Sequence, residues 1–151
     1  MKPFDRILTA IDFSENSDFA FDYALMLAKQ FDAELNVVHV INEPVDLRGF
    51  YVPHISFEQL EKEIEEGASK MMAKFCQSRL GSFANYKTSI ITGIPYEAII
   101  KKATEIDASL IVLGTHGRTG LDHLIFGSTA ERIVRSASCP VLTIRMPPEQ
   151  H

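Results

Sequence analysis

The sequence has little of what marks several large classes of protein. It holds two cysteines, Cys76 and Cys139, far apart and without zinc-ligand spacing. A disulfide framework is therefore not expected, and two reduced, mostly buried thiols are the ordinary reading. No segment approaches the roughly 18 consecutive apolar residues of a membrane helix. The start, Met1 to Arg6, carries no apolar run of the signal-peptide kind. Together these point to a cytoplasmic protein without membrane insertion. Positive charge is also scarce: the longest basic run is Lys101-Lys102, and the formal net charge is -5. Binding through a nucleic-acid backbone needs clustered positive charge, so DNA and RNA are not expected as primary partners. Three catalytic and nucleotide signatures are missing as well. There is no GxxxxGK[ST], no GxGxxG after the first strand and no GxSxG. These absences argue against a P-loop, a dinucleotide-binding dehydrogenase and an α/β-hydrolase.

What is present is a regular alternation. The length of 151 residues fits one domain. A chain of that size buries roughly 70% of its unfolded surface, enough for a core without staples. Short apolar runs at Ile7–Ile11, Leu35–Ile41, Tyr86–Thr92, Leu110–Leu113 and Val141–Ile144 read as strands. Between them lie helical patterns. The first runs from Ser14 to Phe31, with Ala20, Tyr23, Leu27 and Phe31 at helical spacing. The second carries Phe57, Leu60, Ile64, Ala68, Met71 and Phe75, and the Met71-Met72 pair reads as core packing. The third begins at Pro95 and turns Ile99, Ala103 and Ile106 inward. The fourth spans Ser128 to Ser136. The segment from Asn42 to Ser56, with Pro44, Gly49 and Pro53, is expected to be the most mobile.

Uninterrupted apolar strands alternating with helices imply a doubly wound α/β domain, a parallel sheet covered on both faces. Ligands of such sheets sit outside the carboxyl ends of the strands. Asp12, Ile41-Asn42, Gly93 and the segment from Gly114 onward occupy those ends.

The last of these is rich in glycine. It reads Gly114-Thr115-His116-Gly117-Arg118-Thr119-Gly120 and continues to Gly127-Ser128-Thr129. Glycines let the backbone approach a ligand, and successive N–H groups can form an anion nest. The loop runs into a helix start, where free N–H groups and the helix dipole favour phosphate. Ser128 is expected at the N-cap, with Glu131 at capping-box spacing. Arg118 adds a charged donor, and His116 is placed by its loop to contact phosphate. In isolation the loop is equally an ordinary crossover with a capped helix. A zinc site is not expected. His116 and His123 lie seven apart, His39 falls in a strand, and no cysteine is near them.

The full spacing adds to this. Gly114, two residues, Gly117, nine residues and Gly127-Ser128 resembles the ATP-binding motif of the universal stress protein family. Ile7–Ser14, Leu35–Val40, Gly93-Ile94-Pro95, Leu110–Gly114 and Ser138–Leu142 resemble that family's strands and helix entry, so the likeness covers nearly the whole chain. It implies an adenine nucleotide alpha hydrolase-like fold of strand order 3-2-1-4-5 and an ATP pocket between the first and fourth strands. Residues 1–146 would be the domain and 147–151 a short tail. By position, Gly114, Gly117, Gly127, Ser128 and Thr129 would hold ribose and phosphates, with His116 and Arg118 lining the loop. Ala10, Ile11 and Asp12 would border the adenosine, and Val40 would meet adenine through its backbone. Asp12 would either help place a divalent ion, Mg2+ or Mn2+, on the phosphates or serve as an acceptor at a helix cap.

In the implied order the last strand is an edge, apolar and uncharged over Val141, Leu142, Thr143 and Ile144. Such an edge invites pairing with a second copy, and the family pairs through it in antiparallel fashion. The alternative is that Met146-Pro147-Pro148 folds back over it. The expected function is an ATP-dependent dimeric switch or sensor in stress response, acting on a regulatory protein partner. A slow ATPase or autophosphorylating enzyme in the same pocket is one alternative. A nucleotide-free interaction module is the other.

Overall fold

The computed structural model describes residues 3–42, 57–116 and 126–147. The strands are β1 (Arg6–Ala10), β2 (Glu34–Ile41), β3 (Tyr86–Thr92), β4 (Leu110–Gly114) and β5 (Val141–Ile144). The helices are α1 (Glu15–Phe31), α2 (Phe57–Arg79), α3 (Pro95–Glu105) and α4 (Ser128–Ser136). The segment 43–56, expected to be mobile, lies outside the described residues.

Side chains of a strand alternate between its two faces. Every central strand here is apolar on both, because both faces are covered. On one face Ile7, Leu35, Val37, Leu110 and Val112 pack with Phe21, Ala24 and Leu25 of α1 and Met72, Phe75 and Cys76 of α2. On the other, Leu8, Val38, Ile111 and Leu113 pack with Ile99 and Ala103 of α3 and Ile133 of α4. The sheet is parallel, in the order β3-β2-β1-β4-β5. Strand order reverses between β1 and β4, as the resemblance implied, and their carboxyl ends diverge there.

Two helix readings need correction. In α1 the buried stripe is Ser17, Ala20, Phe21, Ala24, Leu25 and Ala28, whereas Tyr23 and Phe31 are exposed. The small alanines let the helix lie close to the sheet, and the larger rings pack at its flanks: Phe31 meets Phe4 edge-on at 5.4 Å, and Tyr23 meets Phe19 at 5.3 Å. Of the Met71-Met72 pair in α2, Met72 is buried and Met71 is exposed. Neighbouring residues of a helix point about 100° apart, so one methionine of the pair faces the sheet and the other faces water.

Candidate functional site

A cleft of about 400 Å³ opens at the carboxyl ends of the strands, between β1 and β4. Its size is that of a small-molecule site. Three chain segments build it.

The first is the exit of β1. Its ladder with β2 stops at the pair Ala10 and Val38. Ile11 N–H then donates to Val38 O at 2.8 Å, and the chain turns away through Phe13, whose φ is 64°. A positive φ at an aromatic residue is strained. The ring is held by His39 at 4.7 Å and Phe75 at 6.1 Å between centroids. The turn leads into α1, whose N-cap, Ser14, accepts from Ser17 N–H. Asp12 Oδ1 accepts from both the backbone N–H and the hydroxyl of Ser14. Asp12 N–H in turn donates to Ser17 Oγ at 3.1 Å. Asp12 Oδ1 thus supports the cap from two residues ahead of it.

The second segment is the end of β2. Backbone groups of successive strand residues point to alternate sides. Val38 O faces β1, and Ile41 O faces β3, where it accepts from Gly93 N–H at 3.0 Å. Val40 therefore turns its N–H and C=O toward the place that β1 has left. Among the described residues neither group finds a partner there. One donor and one acceptor lie side by side at the cleft wall.

The third segment leaves β4 and enters α4. Gly114 sits where an added Cβ would meet the Asn16 carbonyl oxygen of α1 at 3.1 Å. Its lack of a side chain lets β4 and the start of α1 approach. Thr115 N–H donates to Ile144 O at 3.1 Å, and Thr115 O accepts from Gly127 N–H at 2.7 Å. These bonds pin the start of the glycine-containing segment to its end. His116 Nδ1 pairs with Thr115 Oγ1 at 3.0 Å. Its buried Nε2 has no partner among the described residues. The N-cap of α4 is Gly127, with φ -64° and ψ 151°, and no side chain caps the helix. This corrects the expected Ser128 cap and its capping box with Glu131: Ser128 is already the first helical residue. The opening N–H groups of α4, at Ser128, Thr129 and Ala130, have no partner within the helix and border the cleft.

Ala10, Ile11, Asp12, Val40, Gly114, His116, Gly127, Ser128 and Thr129 thus all line one cleft. Gly117 and Arg118 lie outside the described residues. Gly93 is close by but pairs with Ile41 instead of lining the cleft. Ser17, His39, Asn42, Thr115, Pro95 and Ile99 line it as well. Of these, Asn42 was legible as the residue following a strand. His39 was not, because a histidine inside an apolar strand carries no mark of facing a cleft.

Among the described residues no group of three His, Cys, Asp or Glu could hold a metal. Both cysteines are free, and burial pushes both thiols above their ordinary range. Elsewhere, a hollow on α1 beside Asp22, Met26 and Lys29 is open to solvent. No described helix is long and apolar enough to cross a membrane.

Comparison with known proteins supports the same architecture. The model of the universal stress protein family matches residues 3–145. Universal stress protein YxiE of Bacillus subtilis is 33% identical over 147 residues, 94% of this chain and 99% of that protein. The solved structure of MJ0577, a Methanocaldococcus jannaschii protein, superposes with a TM-score of 0.79 at 27% identity, covering 98% of this chain and 100% of that one. A universal stress protein in complex with cAMP shares the fold, with a TM-score of 0.62 at 18% identity over 95% of this chain and 98% of that one. With strand order and sequence in agreement along nearly its whole length, the chain belongs to the universal stress protein family.

Proposed function

We propose that the cleft binds an adenine nucleotide, ATP with Mg2+ or Mn2+, and that the chain acts as a nucleotide-dependent switch in stress response. One observation carries this. Among the described residues, the cleft has an unpaired main-chain donor and acceptor at Val40 on one wall and the N-terminus of α4, without a side-chain cap, on another. Adenine offers the matching acceptor and donor on its Watson–Crick edge. The free N–H groups at Ser128, Thr129 and Ala130, with the dipole behind them, suit phosphate.

A divalent ion fits as a companion of the phosphates. The described residues do not form a protein cage for it, and Mg2+ ordinarily takes most of its oxygens from phosphate and water. It would neutralise phosphate charge, with Asp12 as the nearest carboxylate of the cleft.

The switch would be read by a second copy and by a regulatory protein. β5 is an edge of the sheet, and Leu142 is exposed on it. Its backbone suits antiparallel pairing through Val141, Leu142, Thr143 and Ile144. Free thiols accord with a cytoplasmic setting.

The test has two steps. Freshly purified protein is denatured, and the released small molecules are separated by chromatography. Then the nucleotide-free chain is titrated with magnesium-ATP. Co-purified ATP, or saturable binding at micromolar to millimolar nucleotide, is the expected result. No release and no binding at millimolar ATP would remove the proposal and leave the nucleotide-free module.

A further inference from the structure

We infer that His39 is a positioning residue whose ring occupies the Ile11 carbonyl and so keeps the Val40 main-chain edge unpaired and open to a ligand.

The ladder between β1 and β2 has a simple continuation. In a parallel pair, a strand residue takes one bond from its partner's following N–H and gives one to its partner's preceding carbonyl. Ile11 N–H to Val38 O is one such bond, at 2.8 Å. The next in sequence is Val40 N–H to Ile11 O. It is not made. Ile11 O is held instead by His39 Nδ1 at 2.8 Å. A carbonyl can only accept, so Nδ1 carries the hydrogen.

The ring is fixed in that role. His39 is 8% exposed and lies against Phe13, the residue whose left-handed backbone carries the chain away from β2. Phe13 is in turn braced by Phe75 of α2. Ring, strained turn and helix together hold the two strands apart beyond Ala10 and Val38. Without the imidazole, the carbonyl of buried Ile11 would lose its present donor, and the next rung of the ladder, from the Val40 N–H, would be the natural replacement. Pairing them would zip the fork by one rung and remove the donor that the cleft presents. The consequence for ligand binding rests on the nucleotide reading above; the state of the Val40 amide does not.

Residue-resolved amide hydrogen exchange on the full, ligand-free chain tests this. His39 and Ile41 turn their N–H groups toward β3 and are expected to be protected, while Val40 between them exchanges fast. In His39→Leu, Val40 is expected to gain about tenfold protection, the factor one net hydrogen bond gives. The Kd for magnesium-ATP is expected to rise by a similar factor. His39→Asn, whose Nδ2 can stand where Nδ1 stands, is expected to restore both readings to the wild-type values. A Val40 amide as protected as its neighbours in the wild type overturns the inference. So does an asparagine variant that behaves like the leucine one, or a leucine variant that weakens ATP without protecting Val40. Should His39→Leu fail to fold, the wild-type pattern and the asparagine variant still decide. Fast exchange at Val40 in a protein that binds no ATP would leave the fork standing and remove the nucleotide reading.

Discussion

Two helices begin on the rim of the same cleft and are finished in opposite ways. At α1, Ser14 caps the helix, Ser17 braces the cap and Asp12 accepts from Ser14. Acidic residues crowd the same turn, with Glu15 and Asp18 inside it. At α4 the cap is Gly127, no side-chain hydrogen bond caps the helix, and the acidic residue of its first turn, Glu131, is paired with Arg135 at 2.9 Å. A helix start is an anion site only when its own side chains have not already filled it. α1 is filled and negatively screened; α4 is open. α3 is intermediate: it has no side-chain cap, but Pro95 removes one of the donors. The phosphate end of the proposed nucleotide site therefore falls at α4 and not at α1.

The sharpest way to break this contrast is to fill the open end. Gly127 has a backbone conformation that any residue adopts, so Gly127→Asp brings no backbone strain. Its carboxylate would cap α4 and repel phosphate. ATP affinity is expected to fall roughly 10- to 100-fold, the worth of a hydrogen bond to a charged group, while stability holds or rises by a few tenths of a kcal/mol. Isothermal titration and chemical denaturation of the same variant check both.

The next largest effect falls where the two regions touch. Gly114→Ala would push a Cβ to 3.1 Å from the Asn16 carbonyl, a backbone atom in the first turn of α1. A loss of about 1–3 kcal/mol is expected on denaturation, as for overpacking. An unchanged midpoint would mean that α1 can shift away freely.

Emptying the filled end sharpens the contrast from the other side. Ser14→Ala is expected to cost about 1 kcal/mol of stability. It should leave ATP affinity close to wild type, since the acidic first turn of α1 still repels phosphate. A large loss of affinity would show that the two helix starts are not independent.

The smallest effect is electrostatic. Burial raises the Asp18 carboxyl above 3.8, against the opposing pull of Arg79, whose guanidinium stands 3.3 Å away. A carboxyl raised in the folded state holds its proton more tightly there than in the unfolded chain. Its stabilising contribution is therefore present at low pH and is lost as pH rises through the folded value. Relative to wild type, Asp18→Asn should gain stability as pH climbs from below 4 toward neutrality. Denaturation midpoints across that range measure the slope, and a slope of opposite sign would show that the Arg79 pair outweighs burial.

Much of the fold was legible because its signals are local. The bounds of β3, β5 and α4 follow directly from apolar runs and their neighbours. Most of the cleft was legible too, because strand ends and glycines mark themselves. The failures share one cause. Which of Met71 and Met72 faces inward, and whether Tyr23 or Phe21 does, depends on how closely a helix lies on the sheet. Periodicity alone does not state that distance. The Ser128 cap failed for a similar reason: the bond from Gly127 N–H to Thr115 O sets the entry angle of α4 and moves its start.

By itself, then, the sequence determined the alternation of strands and helices, the absence of a membrane helix among the recognisable segments and the placement of small residues after β4. Those follow from hydrophobic period and backbone freedom, which are properties of neighbouring residues. Only the tertiary structure decided which donors remain unpaired. Whether Val40, His116 and the first turn of α4 face a partner or a cleft depends on groups from β1, β2 and β4, brought together across nearly the whole chain. Hydrogen bonds are satisfied in space and not along the chain, and it is the unsatisfied ones that make the site.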